Sequence, residues 1–255
     1  MSSQSVAYVL SPSRTGTLFL ETLFLEHFPS VSCAHEPSPS RTLHVLGNVR
    51  NHLGIGGGLV KRWFERSLGQ RRAAAIDKRY VEINPLLCPI TDLLIDTAAP
   101  PTVIHLVRDP RTWVPSILSF KASPRFRHVV ERVPFLLPYP APLPRGWART
   151  SMEERALWRW RYCNEQILQI ANDCERYALI RYEDLFAKDE QVRRSALARI
   201  IRTIDLEEPE GEKWLEKRER INEAPYGNKK PAVPDERRVQ SICGPILERF
   251  GYQSV

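Results

Sequence analysis

Arg14, Thr15, Gly16 and Thr17 stand between a short apolar run, Val6 to Leu10, and a second apolar run that starts at Leu18. A cation, two hydroxyls and a glycine at a strand-to-helix turn are the residue types that hold an anion. Successive backbone N–H groups converge there, the helix dipole adds positive potential, and Gly16 allows a ligand close to the backbone. Set against the nucleotide-binding pattern G-x-x-x-x-G-K-[ST], Ser11 takes the first glycine and Gly16 keeps the second. Thr17 then replaces the lysine and Leu18 the magnesium-binding hydroxyl. Phosphoryl transfer from ATP relies on metal ions to neutralise charge on the moving group, so the loss of that hydroxyl favours a metal-independent transfer. Taken alone, the stretch reads equally well as an ordinary strand–turn–helix corner.

A second stretch changes that balance. Residues 102–120, TVIHLVRDPRTWVPSILSF, give a strand that ends at Val107, an Arg-Asp-Pro-Arg turn, and apolar residues at helical spacing. In open α/β sheets ligands collect beyond the carboxyl ends of the strands, so Arg108 and the Arg14 loop are predicted to face one site. Arg108 offers a planar fork of donors suited to phosphate, and Ser116, eight residues on, adds a hydroxyl from the following helix. Pro110 and Pro115 fall near the helix start, where a missing N–H is best tolerated.

On these two motifs the chain resembles the sulfotransferases that use 3′-phosphoadenosine 5′-phosphosulfate (PAPS). Arg14-Thr15-Gly16-Thr17 is similar to that family's loop around the 5′-phosphosulfate, and Arg108 through Ser116 to its 3′-phosphate motif. Leu18 departs from the threonine more usual there, and its backbone N–H takes over the contact. The resemblance implies a three-layer, P-loop-NTPase-like α/β fold with a mostly parallel central sheet. It also implies PAPS as co-substrate, with 3′-phosphoadenosine 5′-phosphate (PAP) as product. Further pieces fit. Residues 177–185, YALIRYEDL, read as a strand with a Tyr-Glu-Asp turn that places Tyr182 at the adenine, and residues 244–252, GPILERFGY, resemble the family's terminal helix. Asn228, Lys229 and Lys230 match the basic segment that closes over the donor phosphates, and read equally as a solvated loop.

Transfer to a hydroxyl needs a base for the acceptor proton and donors for charge gathering on the leaving phosphate. After the first helix, Leu18 to Phe28, a short strand delivers His35-Glu36-Pro37, as in the tyrosylprotein and several bacterial members. That similarity implies Glu36 as general base, with His35 the runner-up and a surface carboxylate the plain alternative. Residues 79–87, RYVEINPLL, place Ile83 where many members carry a lysine, so Arg14 becomes the main cation on the sulfuryl group, and Glu82 and Asn84 are candidates to line the acceptor pocket. His27, His44, His52, His105 and His128 show no metal-ligand spacing, and His105 within its strand reads as core.

The elements that must position these residues agree with one large α/β domain, since 255 residues at 42% hydrophobic suffice to bury a substantial core. Acceptor-binding insertions are predicted at about residues 47–75 and 121–150. The first holds four clustered glycines, Gly54 to Gly58, in a flexible connection, and the second is the proline-dense 133–146, an extended loop. Ser151 with Glu154 forms a capping box that opens the clearest helix, Ser151 to Arg176, with Leu157, Trp160, Ile167, Leu168 and Ala171 as its buried stripe. Five cysteines without a Cys-x-x-Cys pair indicate reduced thiols, and the N-terminus shows no secretory pattern, so a cytoplasmic enzyme without membrane insertion is expected.

With 37 basic and 30 acidic residues the net charge of +7 suits a polyanionic donor. It suits nucleic acid less, because the cations do not interleave with aromatic residues. Lys61-Arg62 and Arg71-Arg72 flank a helical segment, either a solvated face or a surface for an anionic acceptor. A hydroxyl-bearing acceptor such as a carbohydrate or natural product is implied without being named. A metal-dependent kinase and a catalytically silent anion-binding protein are the competing functions, and the oligomeric state is open.

Overall fold

The computed structural model describes residues 6–75, 77–97, 99–119, 130–211, 213–215 and 233–253. Its centre is a five-stranded sheet in the order β2-β3-β1-β4-β5, with all four pairings parallel. The strands are β1 (Ala7–Leu10), β2 (Val31–His35), β3 (Arg79–Ile83), β4 (Thr102–Val107) and β5 (Arg176–Arg181). β1 and β4 are buried along their whole length, as a parallel sheet covered on both faces requires, so both read as continuous apolar runs.

The longer helices are α1 (Thr17–His27), α2 (Ser40–Leu53), α3 (Gly57–Ala74), α4 (Pro110–Ser119), α5 (Met152–Gln169), α6 (Glu190–Ile204) and α7 (Glu236–Leu247). On one face, Phe19, Leu20, Leu23 and Phe24 of α1 and Leu197, Ile200, Ile201 and Ile204 of α6 close over Val9, Val81, Ile104 and Ile180. On the other, Val60, Phe64 and Leu68 of α3 pack with Tyr8, Tyr80 and Val103, joined by Ile167 of α5. A third cluster, Trp113, Leu157, Trp160, Cys243, Leu247 and Phe250, binds α4, α5 and α7 together. The predicted three-layer α/β architecture with a parallel sheet is the one observed.

Several predicted elements move. The glycine cluster is not a flexible connection. Gly47 lies inside α2, where an added Cβ would stand 2.5 Å from Ile90 Cγ2, and Gly54 and Gly56, at φ 69° and 79°, cap the corner between α2 and α3. The capping box of Ser151 and Glu154 is formed as predicted, yet α5 stops at Gln169 because a short 3₁₀ turn and β5 take the residues to Arg181. Leu157, Trp160 and Ile167 are buried, while Leu168 and Ala171 are only half-buried. The terminal helix begins at Glu236, capped by Asp235, so Gly244-Pro245 falls in its last turns and not at its start. Within residues 133–146 no helix or strand forms, as predicted, but Tyr139 is fully buried there and donates to Glu131 Oε2.

Candidate active site

The loop from Ser11 to Gly16 leaves β1 at the centre of the sheet. The chain departs from β1 toward β2 on one side and returns on the other at β4, the topological switch point where α/β sheets hold ligands. Ser13, Arg14 and Gly16 all have positive φ, at 69°, 58° and 90°. Two side chains fix this turn from below: Trp113 Nε1 donates to the Ser13 carbonyl at 2.7 Å, and Arg108 Nη1 donates to the Arg14 carbonyl at 3.2 Å. In a planar trans peptide the N–H points opposite to the C=O. Tying those two carbonyls into the protein therefore turns the Arg14 and Thr15 N–H groups outward together.

Helix α1 adds its own first turn to this cradle. Its N-cap is Gly16, which brings no side-chain acceptor, and no acidic residue occupies the first turn, so its terminal N–H groups and dipole are left to a ligand. Thr17 and Leu18 open the helix, with Thr17 buried and Leu18 half-buried. Thr15 is fully buried, and its Oγ1 has no hydrogen-bond partner among the described residues. A Cβ on Gly16 would stand 2.9 Å from Phe186 Cε2, in addition to the unfavourable φ.

Arg108 and Ser116 meet this loop, as their spacing predicts. Arg14 Nε donates to Ser116 Oγ at 3.3 Å, and Arg108 Nε donates to Thr112 Oγ1 at 3.0 Å. The Arg108 guanidinium lies 4.3 Å above the ring of Tyr182, which packs on Phe186 at 4.6 Å between centroids. Tyr182 is thus buried between Arg108 and the Gly16 turn, its Cδ2 3.7 Å from where a Cβ on Gly16 would stand. Asn228, Lys229 and Lys230 lie outside the described residues.

Residues that sequence reasoning missed hold this arrangement. Trp160, read as core and fully buried, also donates its indole N–H to the Arg108 carbonyl at 2.8 Å. Glu183 joins two distant motifs: its Oε1 accepts from the Asp109 N–H at 3.0 Å and its Oε2 from the Tyr252 hydroxyl at 2.7 Å. Burial and the neighbouring Glu183 carboxylate push the Tyr252 phenol far up, so it stays a donor. Such partners are carbonyls and side chains from remote parts of the chain, and no local pattern announces them.

His35 ends β2, and Glu36 follows with its N–H bonded to the Ile83 carbonyl at 3.0 Å. Both lie at the same carboxyl edge of the sheet as the Arg14 loop. His35 turns toward α1, with Nδ1 3.9 Å from Glu21 Oε2 and Nε2 buried without a partner among the described residues. Glu36 is half-buried and adopts φ 44°, a left-handed conformation that costs an L-residue about 1–2 kcal/mol.

The residues after Glu36 are pinned by a buried polar network. Ser40 Oγ donates to the Pro37 carbonyl, Asn84 Nδ2 donates to Ser40 Oγ and to Glu82 Oε1, both at 2.7 Å, and Arg71 Nη1 reaches the Ser38 carbonyl at 3.5 Å. Arg71 Nη2 also pairs with Glu82 at 3.3 Å, and Tyr80 donates to the same carboxylate at 3.1 Å. Glu82 and Asn84 are fully buried, so they do not line an open acceptor pocket as predicted. They anchor the turn that carries Glu36. Burial pushes the Glu82 carboxyl above its usual range against the opposing pull of Arg71, Asn84 and Tyr80. Arg71 therefore belongs to the interior and Lys61 pairs with Asp96, while Arg62 stays exposed on α3. His105 is core as read, its ring bonded to Tyr177 and Asn164 at 2.7 and 2.8 Å.

The architecture has solved counterparts. Over 98% of this chain and 99% of the other, it superposes on the sulfotransferase domain from the curacin biosynthetic pathway, with a TM-score of 0.58 and 15% identity. The chain has the sulfotransferase fold. A second such structure, the sulfotransferase domain from the Synechococcus PCC 7002 olefin synthase, matches over 98% of this chain and 95% of its own, with a TM-score of 0.54 and 17% identity. No protein-family model and no curated protein matches the sequence. Among the described residues, no helix of this sulfotransferase-fold chain is long and apolar enough to cross a membrane.

Proposed function

We propose that the protein transfers a sulfuryl group from PAPS to a hydroxyl, or an amine, of a small-molecule acceptor, in line and without a metal ion. The observation that carries this reading is the meeting of two sequence-distant motifs at one point: Arg108 bonds the Arg14 carbonyl while Arg14 bonds Ser116. The donor set fits the co-substrate. Outward N–H groups of Arg14 and Thr15, the α1 terminus and the orphaned Thr15 hydroxyl suit a 5′-phosphosulfate, and a close approach is possible because Gly16 has no side chain. Arg108 and Ser116 suit a 3′-phosphate, and the remaining edge of Tyr182 an adenine.

PAPS, when bound, supplies the sulfuryl group and the leaving phosphate. The chain's own contribution is positional and electrostatic. Arg14 and the loop N–H groups lie where negative charge collects on the leaving oxygen, a placement that is effective because the donors are already fixed by Trp113 and Arg108. Glu36 takes the proton from the acceptor hydroxyl, with His35 beside it as the alternative base.

Calorimetric titration with PAP, ADP and magnesium–ATP, followed by transfer of labelled sulfate from PAPS to a panel of hydroxyl compounds, tests the proposal. Binding that prefers PAP and persists in EDTA is expected. Preference for magnesium–ATP would overturn it in favour of a kinase.

A further inference from the structure

The peptide that follows the Arg108 Cα is held at both ends. Its carbonyl, that of Arg108, accepts the Trp160 indole N–H at 2.8 Å, and its N–H, that of Asp109, donates to Glu183 Oε1 at 3.0 Å. In a planar trans peptide these two groups point in opposite directions, so Trp160 and Glu183 grip one plane from its two sides. On the other side of the same Cα, Val107 is fully buried in β4, in register with Arg181 of β5. With the backbone fixed before and after it, the Cα of Arg108 sends its side chain in one direction. The guanidinium at the far end then rests on the Tyr182 ring at 4.3 Å, and Tyr182 is the neighbour of Glu183. One dipeptide thus meets Arg108 at its fork and at its backbone.

Both jaws of this clamp lean on the segment that follows α7. Phe250 stands edge-on to the Trp160 ring at 5.8 Å, and the Tyr252 hydroxyl donates to the second Glu183 oxygen at 2.7 Å. Phe250 and Tyr252 are both buried, and the Tyr252 N–H bonds the Leu247 carbonyl at 3.1 Å, which ties the segment to the end of α7. A third tie runs through Arg111, which holds the Asp109 carboxylate at 3.2 Å and the Gln253 carbonyl at 3.2 Å. None of these residues belongs to the loop around Gly16, which is fixed separately by Trp113.

A guanidinium recognises phosphate through a planar fork, and such recognition depends on direction as well as on charge. We infer that Glu183 and Tyr252 are positioning residues for the Arg108 fork, so that the segment after α7 sets how strongly a nucleotide bearing a 3′-phosphate is preferred over one without it. For the identity of the ligand this rests on the PAPS reading above.

Calorimetric titration of PAP and AMP into wild type, Glu183→Ala, Glu183→Gln and Tyr252→Phe tests it. Glu183→Ala frees the Asp109 N–H and is expected to lower the PAP-over-AMP preference about tenfold. Glu183→Gln keeps an oxygen for that N–H and an amide that can donate to the Tyr252 oxygen, so its preference is expected to stay within about twofold of wild type. Tyr252→Phe keeps the ring and its packing, removes the hydroxyl alone, and is expected to lower the preference about threefold or more, which decides the matter even where Glu183→Ala does not fold. General loosening of the structure would weaken both nucleotides alike. Equal weakening of PAP and AMP in Glu183→Ala and Tyr252→Phe, an unchanged preference in both, or a Glu183→Gln variant as impaired as Glu183→Ala overturns the positioning role. Absence of any PAP-over-AMP preference in wild type would instead overturn the donor reading.

Discussion

Arg108→Lys separates charge from geometry at the proposed 3′-phosphate site. The substitution keeps a cation and removes the fork, with it the Nη1 bond to the Arg14 carbonyl at 3.2 Å, the Nε bond to Thr112 at 3.0 Å and the contact with the Tyr182 ring at 4.3 Å. Two consequences are mixed in any single affinity: loss of a direct phosphate contact, and loosening of the Arg14 carbonyl. Comparing PAP with AMP, which lacks the 3′-phosphate, cancels the second, because the loop is used by both ligands. One charge-assisted hydrogen bond is worth about 1.5–3 kcal/mol, so the PAP-over-AMP preference is expected to fall by about 10- to 150-fold. Calorimetry on wild type and variant with both ligands gives the four affinities required. If Arg108→Lys weakens PAP and AMP by the same factor, Arg108 only orders the loop and the 3′-phosphate assignment is wrong.

Trp113→Phe is the converse case: it frees the Ser13 carbonyl without touching the 3′-phosphate contacts, so PAP and AMP are expected to weaken together, by about fivefold or more, on loss of one buried hydrogen bond. A change confined to PAP in the same titrations would contradict the cradle geometry. Glu36→Gln is expected to lower kcat by about 10²–10⁴-fold while leaving PAP affinity unchanged, the signature of a lost general base; if rates persist, His35→Gln tests the alternative. His105 is fully buried, and burial holds its imidazole down to about 4 against 6.5, so it is neutral in the fold and gains a proton more readily when unfolded. The stability this provides is present above pH 6.5 and lost as pH falls toward 4, on the order of 3 kcal/mol. Urea unfolding across that window is expected to show a shallower acid loss in His105→Gln, and an unchanged slope would refute the assignment.

The two strand–turn–helix motifs at Arg14 and Arg108 were legible because everything that defines them is local: a buried strand, a turn rich in small or cationic residues, and the next helix start. Their convergence could be read as well, since any two strand–turn–helix units of a parallel sheet open on the same edge. Helix α2 was not legible, and the reason is physical. Its buried residues are Ser40, Leu43, His44, Gly47 and Asn48, so the side it turns inward is mostly polar and no apolar period marks it. Gly244-Pro245 misled in a different way, since glycine and proline signal the boundary of a helix but here occupy the last turns of α7, whose start is set by the Asp235 cap. Glu82 sits between the apolar Val81 and Ile83 in β3, and only the positions of Arg71, Asn84 and Tyr80 show what makes its burial tolerable.

The sheet order itself explains why acceptor and donor meet from opposite sides in the proposed reaction. Crossing the carboxyl edge from β5 to β2, one passes Tyr182, then Arg108, then the Arg14 loop, then Asn84 at the end of β3, then His35 and Glu36. An in-line transfer needs the leaving phosphate, the sulfur and the attacking oxygen in a row, with the base beyond the oxygen. The nucleoside end belongs on the β4–β5 side of the loop, where the Arg108 fork and the Tyr182 ring are. The base then belongs on the other side, and β2 is the strand that puts a carboxylate there. Parallel strands are about 4.8 Å apart, so the loop above β1 and the turn after β2 are separated by about 10 Å, enough for one hydroxyl and a sulfuryl group between them. The intervening β3 presents no charged side chain at that edge: Ile83 is apolar, and Glu82 and Asn84 are turned to the buried network beneath. In the proposed reaction the acceptor therefore lies over β3, on the side where α2 begins four residues after Glu36.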